Sequence, residues 1–233
     1  MAALLEVSGL EAWYGESQAL YGVDLHVNEG EMITILGRNG VGKTTTLRTI
    51  MGIIRKRKGT IKLGGKDLMS VPLHRTARYG MGFVPEERGI FATLTVEENL
   101  KLPPVVASGG MSLDEIYELF PNLLERRNSP GTKLSGGEQQ MLAMARILRT
   151  GVKVLLLDEP TEGLAPVIVQ RIGEVLLKLK ERGMTVVLVE QNFRFARKIA
   201  DRFYLMDHGQ MVSDFPVHEL SDRMDELNKV LGV

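Results

Sequence analysis

GRNGVGKTTT, running from Gly37 to Thr46, follows the apolar run MITIL and leads into LRTIMGI. Glycines between a strand and a helix let backbone N–H groups converge on an anion, and the helix N-terminus adds its own unpaired donors. Gly37, Gly42, Lys43 and Thr44 fill every fixed position of the GxxxxGK[ST] pattern. The loop, with Arg38, Asn39, Gly40, Val41 and Thr45, reads as a phosphate cradle. Lys43 would reach the β- and γ-phosphates, and the Thr44 hydroxyl would sit on Mg²⁺. An ordinary glycine turn makes no such demand on the lysine and the threonine.

The flanking segments supply a scaffold. LLEVSGLEAWYG and LYGVDLHVNEGE read as two strands, and IIRKRKGTIKLGGKDL as a hairpin whose RKRK cluster (Arg55 to Lys58) is a solvated turn. EMITILG, YGMGFVPE, KVLLLDEP and MTVVLVEQ are short apolar runs, as expected of parallel strands buried on both faces with ligand groups at their carboxyl ends. Thr95 with Glu98 in TVEENL has capping-box spacing, SLDEIYELFPNLLERR continues the helical pattern, and DRFYLMDHGQMV reads as a closing hairpin. The predicted architecture is one α/β domain over residues 1–233. Residues 1–85 and 146–233 form a parallel-sheet core with an antiparallel β subdomain, and 86–145 form a helical insertion.

Two further motifs belong with the loop. Asp158 ends an apolar strand in LLLDEP, where a carboxylate would hold Mg²⁺ through water, and Glu159 is placed to orient an attacking water. LSGGEQQ, with Ser135, Gly136 and Gly137 opening a helix, is a second phosphate-binding turn. One nucleotide has no use for both loops in one chain. Two chains facing head to tail would use each pair. Glu138 either serves that interface or caps its own helix.

The bulk numbers exclude several classes. Twenty-nine basic and 29 acidic residues balance, so no overall field draws the chain to nucleic acid or an anionic membrane. There is no cysteine, hence no disulfide or thiolate metal site, which fits a reducing compartment. The N-terminus carries Glu6 and Glu11 and no basic segment, so it is not read as a secretory signal. No run approaches the roughly 20 apolar residues that span a bilayer.

In order and spacing, GRNGVGKT, VPE, LSGGE, LLLDEPT and LVEQN resemble the ATP-binding subunits of ABC transporters across essentially the whole chain. VPEERGIF, LSGGEQQMLA, DEPTEGLAP and VEQN are most similar to the smaller ATPase of branched-chain amino-acid importers, with urea and amide importers as near relatives. The resemblance implies a RecA-like P-loop NTPase fold, ATP and Mg²⁺ as ligands, and Tyr14 stacking on adenine, with Trp13 turned to the core. It also implies Glu86 near Mg²⁺ in the Q-loop and Gln191 at the switch position. The partners implied are a second ATPase subunit (a paralogue preferred, a second copy possible), membrane permeases and, indirectly, a solute-binding protein outside the cell. No nucleic acid is expected, and the location implied is peripheral, on the cytoplasmic face of the membrane.

Three positions depart from the wider ABC pattern, which has glutamine, aspartate and histidine where this chain has Glu86, Ala165 and Gln191. Gln191 can donate through its amide but cannot titrate. Each composite site would lack a different polar group, which predicts unequal sites in a working dimer. Segment 86–94 (EERGIFATL), exposing Ile90 and Phe91, is the expected permease contact. His208 reads as a surface turn residue.

Overall fold

The computed structural model describes residues 3–232. The strands β1 (Ala3–Tyr14) and β2 (Ser17–Asn28) pair antiparallel across a tight turn. β3 (Met32–Leu36) follows and runs through the glycine loop into α1 (Lys43–Met51). β4 (Arg57–Leu63) returns beside β1 and turns at Gly64–Gly65 into the short β5 (Lys66–Asp67). Without β3, these strands form a four-stranded sheet of order β2-β1-β4-β5.

After α2 (Leu73–Thr76), β6 (Met81–Val84) enters the second sheet. The helices α3 (Val96–Lys101), α4 (Leu113–Leu119), α5 (Pro121–Glu125) and α6 (Gly136–Leu148) come next. β7 (Val154–Asp158), α7 (Pro166–Glu181), β8 (Thr185–Glu190) and α8 (Phe193–Ala196) complete the α/β core. A hairpin of β9 (Arg202–Asp207) and β10 (Gln210–Pro216) leads to α9 (Met224–Leu231). The six-stranded sheet has order β10-β9-β3-β8-β7-β6, parallel throughout except for the β9–β10 pair.

β3, β7 and β8 are buried at every position, as their uninterrupted apolar sequences require of strands covered on both faces. On one face, Ile33, Ile35, Leu156 and Val187 pack with Leu47 and Ile50 of α1 and with Leu5 and Leu25 of the antiparallel sheet. On the other, Leu155, Leu157 and Leu188 meet Leu142 of α6 and Leu176 of α7. Because β3, β8 and β7 are neighbours, the glycine loop, the residues after Glu190 and the DEPT segment emerge side by side at their carboxyl ends.

Three local readings need correction. SLDEIYELFPNLLERR is two helices: Phe120 leaves helical geometry at φ −128°, ψ 72°, because the following Pro121 disfavours the α region before it. The RKRK cluster is a solvated turn only in part: Arg55, Lys56 and Lys58 are exposed, but Arg57 opens β4 and is half-buried. Arg57 donates to the carbonyls of Thr49, Leu68 and Met69, and the Lys58 ammonium lies 5.5 Å from the centre of the Trp13 ring. That ring is only half-buried rather than turned into the core. α9 had no counterpart in the sequence reading; it is short, and Leu227 is its one buried residue.

Candidate active site

Two glycines of the loop are sterically required. A Cβ on Gly37 would stand 2.5 Å from the Met206 carbonyl oxygen, and one on Gly42, at φ 113°, 2.9 Å from the Met206 side chain. The turn between β9 and β10 therefore backs the loop, and the Gly209 N–H donates to the Val41 carbonyl at 2.8 Å.

Lys43 is 3% exposed and points back into the loop, donating to the carbonyls of Gly37 at 2.9 Å and Arg38 at 3.0 Å. It also forms an ion pair with Glu159 Oε1 at 3.1 Å. The other oxygen of Glu159 accepts from Gln191 Nε2 at 2.6 Å. Glu159 itself has φ 43°, a left-handed conformation uncommon for a side chain of its size and one that marks functional turns. Thr44 Oγ1 donates to Asp158 Oδ1 at 2.8 Å, whereas Asp158 Oδ2 is buried with no hydrogen-bond partner among the described residues.

The electrostatics follow from crowding the carboxyls of Glu86, Asp158, Glu159 and Glu162 together. Burial pushes Asp158 up to about 6, with Glu159 and Glu86 adding repulsion against the hydrogen bond from Thr44. A hydrogen bond to Glu159, and then burial, lift Glu162 to about 7. Burial works to raise Glu159 too, but the hydrogen bonds from Glu162 and Gln191 and the Lys43 ammonium outweigh it and leave its carboxyl below the usual value. The sequence reading missed Glu162, although its place directly after DEPT was a usable signal.

Asn39, Gly40, Gly42, Lys43, Thr44, Thr45, Glu86, Glu159 and Glu162 line one cavity of about 260 Å³. Tyr14 stands at its rim, half exposed, with its hydroxyl 3.5 Å from Thr45 Oγ1. Glu86 is solvent-exposed just beyond β6. Ser135 lies outside this group and lines a different cavity of about 510 Å³ with Asn122, Glu138, Met141 and residues of α7. Ser135 and Glu138 form a reciprocal capping box on α6, so the glutamate caps its own helix. Gly136 and Gly137 occupy the first turn, where Arg88 and Ile168 respectively press on the positions a Cβ would take. Arg88, also missed from sequence, has φ 64° and donates to Gln139 Oε1 at 3.2 Å, which ties the segment after β6 to α6. Of the two apolar residues in that segment, Phe91 is exposed beneath the Arg146 guanidinium at 4.8 Å, whereas Ile90 packs into the helical core. Ala165 is the N-cap of α7 and gives no side-chain cap.

Residues 20–162 match the ABC transporter family. The chain belongs to that family. It is 42% identical over 212 residues to the high-affinity branched-chain amino acid transport ATP-binding protein BraG of Pseudomonas aeruginosa, covering 90% of this chain and 91% of the relative. It is 36% identical to the probable branched-chain amino acid transport ATP-binding protein LivF of Archaeoglobus fulgidus, covering 93% and 94% of the two chains. The lipopolysaccharide export system ATP-binding protein LptB of Haemophilus influenzae is 33% identical, covering 91% and 90%. A nucleotide-free ATP-binding cassette from an ABC transporter superposes with TM-score 0.85 at 25% identity, covering 100% of this chain and 99% of the other. The cassette MJ0796, solved as a dimer, superposes with TM-score 0.80 at 28% identity, covering 91% and 98%. The protein is thus an ATPase subunit of an ABC transporter, with the cassette fold that its motifs imply. Among the described residues no helix is long and apolar enough to cross a membrane.

Proposed function

We propose that this cassette binds ATP between its own Gly37–Thr45 loop and the Ser135–Gly137 turn of a second ATPase subunit, and that hydrolysis there drives uptake of branched-chain amino acids. One observation carries the first half. Lys43, Thr44 and Glu159 line one cavity, with Asp158 hydrogen-bonded to Thr44 and Gln191 to Glu159, whereas Ser135 of the same chain lines another. Each chain then holds complementary halves of two sites.

The nucleotide-binding steps follow from the contacts. An incoming triphosphate competes with Glu159 for Lys43, because the ammonium is held by a carboxylate and two carbonyls that a γ-phosphate can replace. Released from Lys43, Glu159 can hold the attacking water, while the Gln191 amide keeps its second oxygen oriented. Catalysis is then positioning and charge stabilisation of an in-line attack. Arg38, Asn39, Gly40, Val41 and Thr45 wrap the phosphates, and Tyr14 covers the base. The unpartnered Asp158 Oδ2 beside the Thr44 hydroxyl fits Mg²⁺, a cation held by one or two protein oxygens together with substrate phosphates. Thr44 and Asp158 would hold it, with Glu86 facing it across the cavity, and when bound it neutralises charge on the terminal phosphates.

The amino-acid substrate is supported by the two relatives named for branched-chain amino acid transport, at 42% and 36% identity. In this reading the chain sits at the cytoplasmic face, paired with a paralogous ATPase, and Phe91 touches the permease. A solute-binding protein outside the cell delivers the cargo. Deleting the chain from its host and measuring radiolabelled uptake tests it. Loss of leucine, isoleucine and valine uptake, with other solutes unaffected, is expected. Unchanged uptake of all three would overturn the substrate.

A further inference from the structure

Glu190 ends β8 and hydrogen-bonds to both the loop after β7 and the loop after β8. It is 2% exposed, and its carboxylate divides its oxygens between two segments. Oε1 accepts from the Thr161 hydroxyl at 2.7 Å and the Thr161 N–H at 3.2 Å. Oε2 accepts from the N–H groups of Gln191 and Asn192, each at 3.2 Å. A buried carboxylate is costly unless its lone pairs are met by donors, and all four donors here come from the loops that carry or follow the catalytic groups. The Glu159 N–H is joined to the same strand, donating to the Val189 carbonyl at 3.0 Å.

We propose that Glu190 is a positioning residue: one oxygen holds the loop behind Glu159, the other holds the switch loop, and the two loops move as one unit. The proposal rests on the reading of Glu159 and Gln191 given above. The reason is geometric. The 2.6 Å bond from Gln191 Nε2 to Glu159 Oε2 joins side chains on the loops that follow two different strands, and it survives only if the backbones behind both keep register. A displacement near 1 Å at such a pair is enough to lower a rate about a hundredfold.

Glu190→Gln tests the clamp without changing its shape. The amide offers one acceptor oxygen and one NH₂, so at either Thr161 or the Gln191–Asn192 pair a donor now faces a donor. In hydrogen exchange on the purified chain, the amides of Thr161, Gln191 and Asn192 should exchange about tenfold faster. The kcat for ATP, normalised to the folded fraction read by circular dichroism, should fall about tenfold while KM stays within about twofold; the normalisation removes the loss of apparent kcat that an unfolded fraction alone would give. Thr161→Val removes one bond of the same clamp, so combining it with Glu190→Gln should lower kcat by much less than the product of the single effects. If Glu190→Gln does not fold, Thr161→Val carries the test alone, with faster exchange at Gln191 and Asn192 expected. Unchanged exchange at these amides, fully multiplicative variants, or a KM rise with a parallel drop in Tm would overturn the proposal. Gln191→Ala is a separate arm: if harmless, it removes the catalytic reading of Gln191, while the exchange rates still decide the clamp.

Discussion

The Lys43–Glu159 cavity and the Ser135–Gly137 turn are the two halves of the phosphate site proposed above, yet they differ in how their polar groups are satisfied. In the cavity Lys43, Asp158 and Glu159 are buried and each has a side-chain partner: Lys43 with Glu159, Glu159 with Gln191, Asp158 with Thr44. At the turn, Ser135 does no more than cap its own helix, and its first-turn glycines sit under the Arg88 and Ile168 side chains. The cavity is preassembled and must exchange partners to bind, with a carboxylate giving way to phosphate. The turn has nothing to exchange and can only be brought to a ligand. That contrast is what a site divided between two subunits requires.

The largest effect that could break the contrast is at Lys43. Lys43→Ala removes the one cation that the phosphate takes over, and phosphate release should fall by at least on the order of 10³-fold. Normal turnover at saturating ATP would show that the loop is not the site. Glu159→Gln keeps the shape and the bond to Gln191 but cannot accept a proton. Hydrolysis should fall about 10²–10³-fold with ATP affinity retained. Loss of binding instead would make Glu159 a structural partner of Lys43.

Stability sharpens the comparison further, because a preassembled cavity carries a cost before it binds. The Asp158 carboxyl is pushed up to about 6 from an ordinary 3.8, so the folded chain binds a proton that the unfolded chain has lost. The resulting destabilisation is absent below the lower value, grows as pH rises between the two, and is constant above. In Mg²⁺-free buffer Asp158→Asn should therefore raise Tm, with the gain increasing from pH 4 to 6 and worth up to about 3 kcal/mol at pH 7. A pH-independent change would mean that the carboxylate is not strained in the empty site. Tyr14→Ala, at the rim, should be the mildest. It should weaken ATP affinity about tenfold, in keeping with loss of one base stack, and leave the maximal rate unchanged.

How much of this was readable in advance follows the range of the interactions involved. The glycine loop, the acidic strand end and the capping box at Thr95 are set by neighbours within a few residues, and each is found where the sequence put it. The uninterrupted apolar strands fixed the parallel core in the same way. Arg57 was misread because its carbonyl partners, on Thr49, Leu68 and Met69, come from segments on both sides of its strand. Glu162 was passed over, since only folding sets it against Glu159. Arg88 escaped notice for the same reason: Gln139, its partner, lies far along the chain and on another element.

The most direct test of the divided site is to change the turn and read out both nucleotides. Ser135→Arg is introduced into this chain within the purified transporter, the two ATPase subunits being distinguished by size or tag. Photoactivatable azido-ATP labelling under vanadate trapping is then measured on each subunit. Label should disappear from the opposite ATPase subunit, whose loop faces the altered turn, while ATP still binds the Gly37–Thr45 loop of the mutated chain. Loss of label from the mutated chain's own loop, with the opposite subunit labelled normally, would contradict the account.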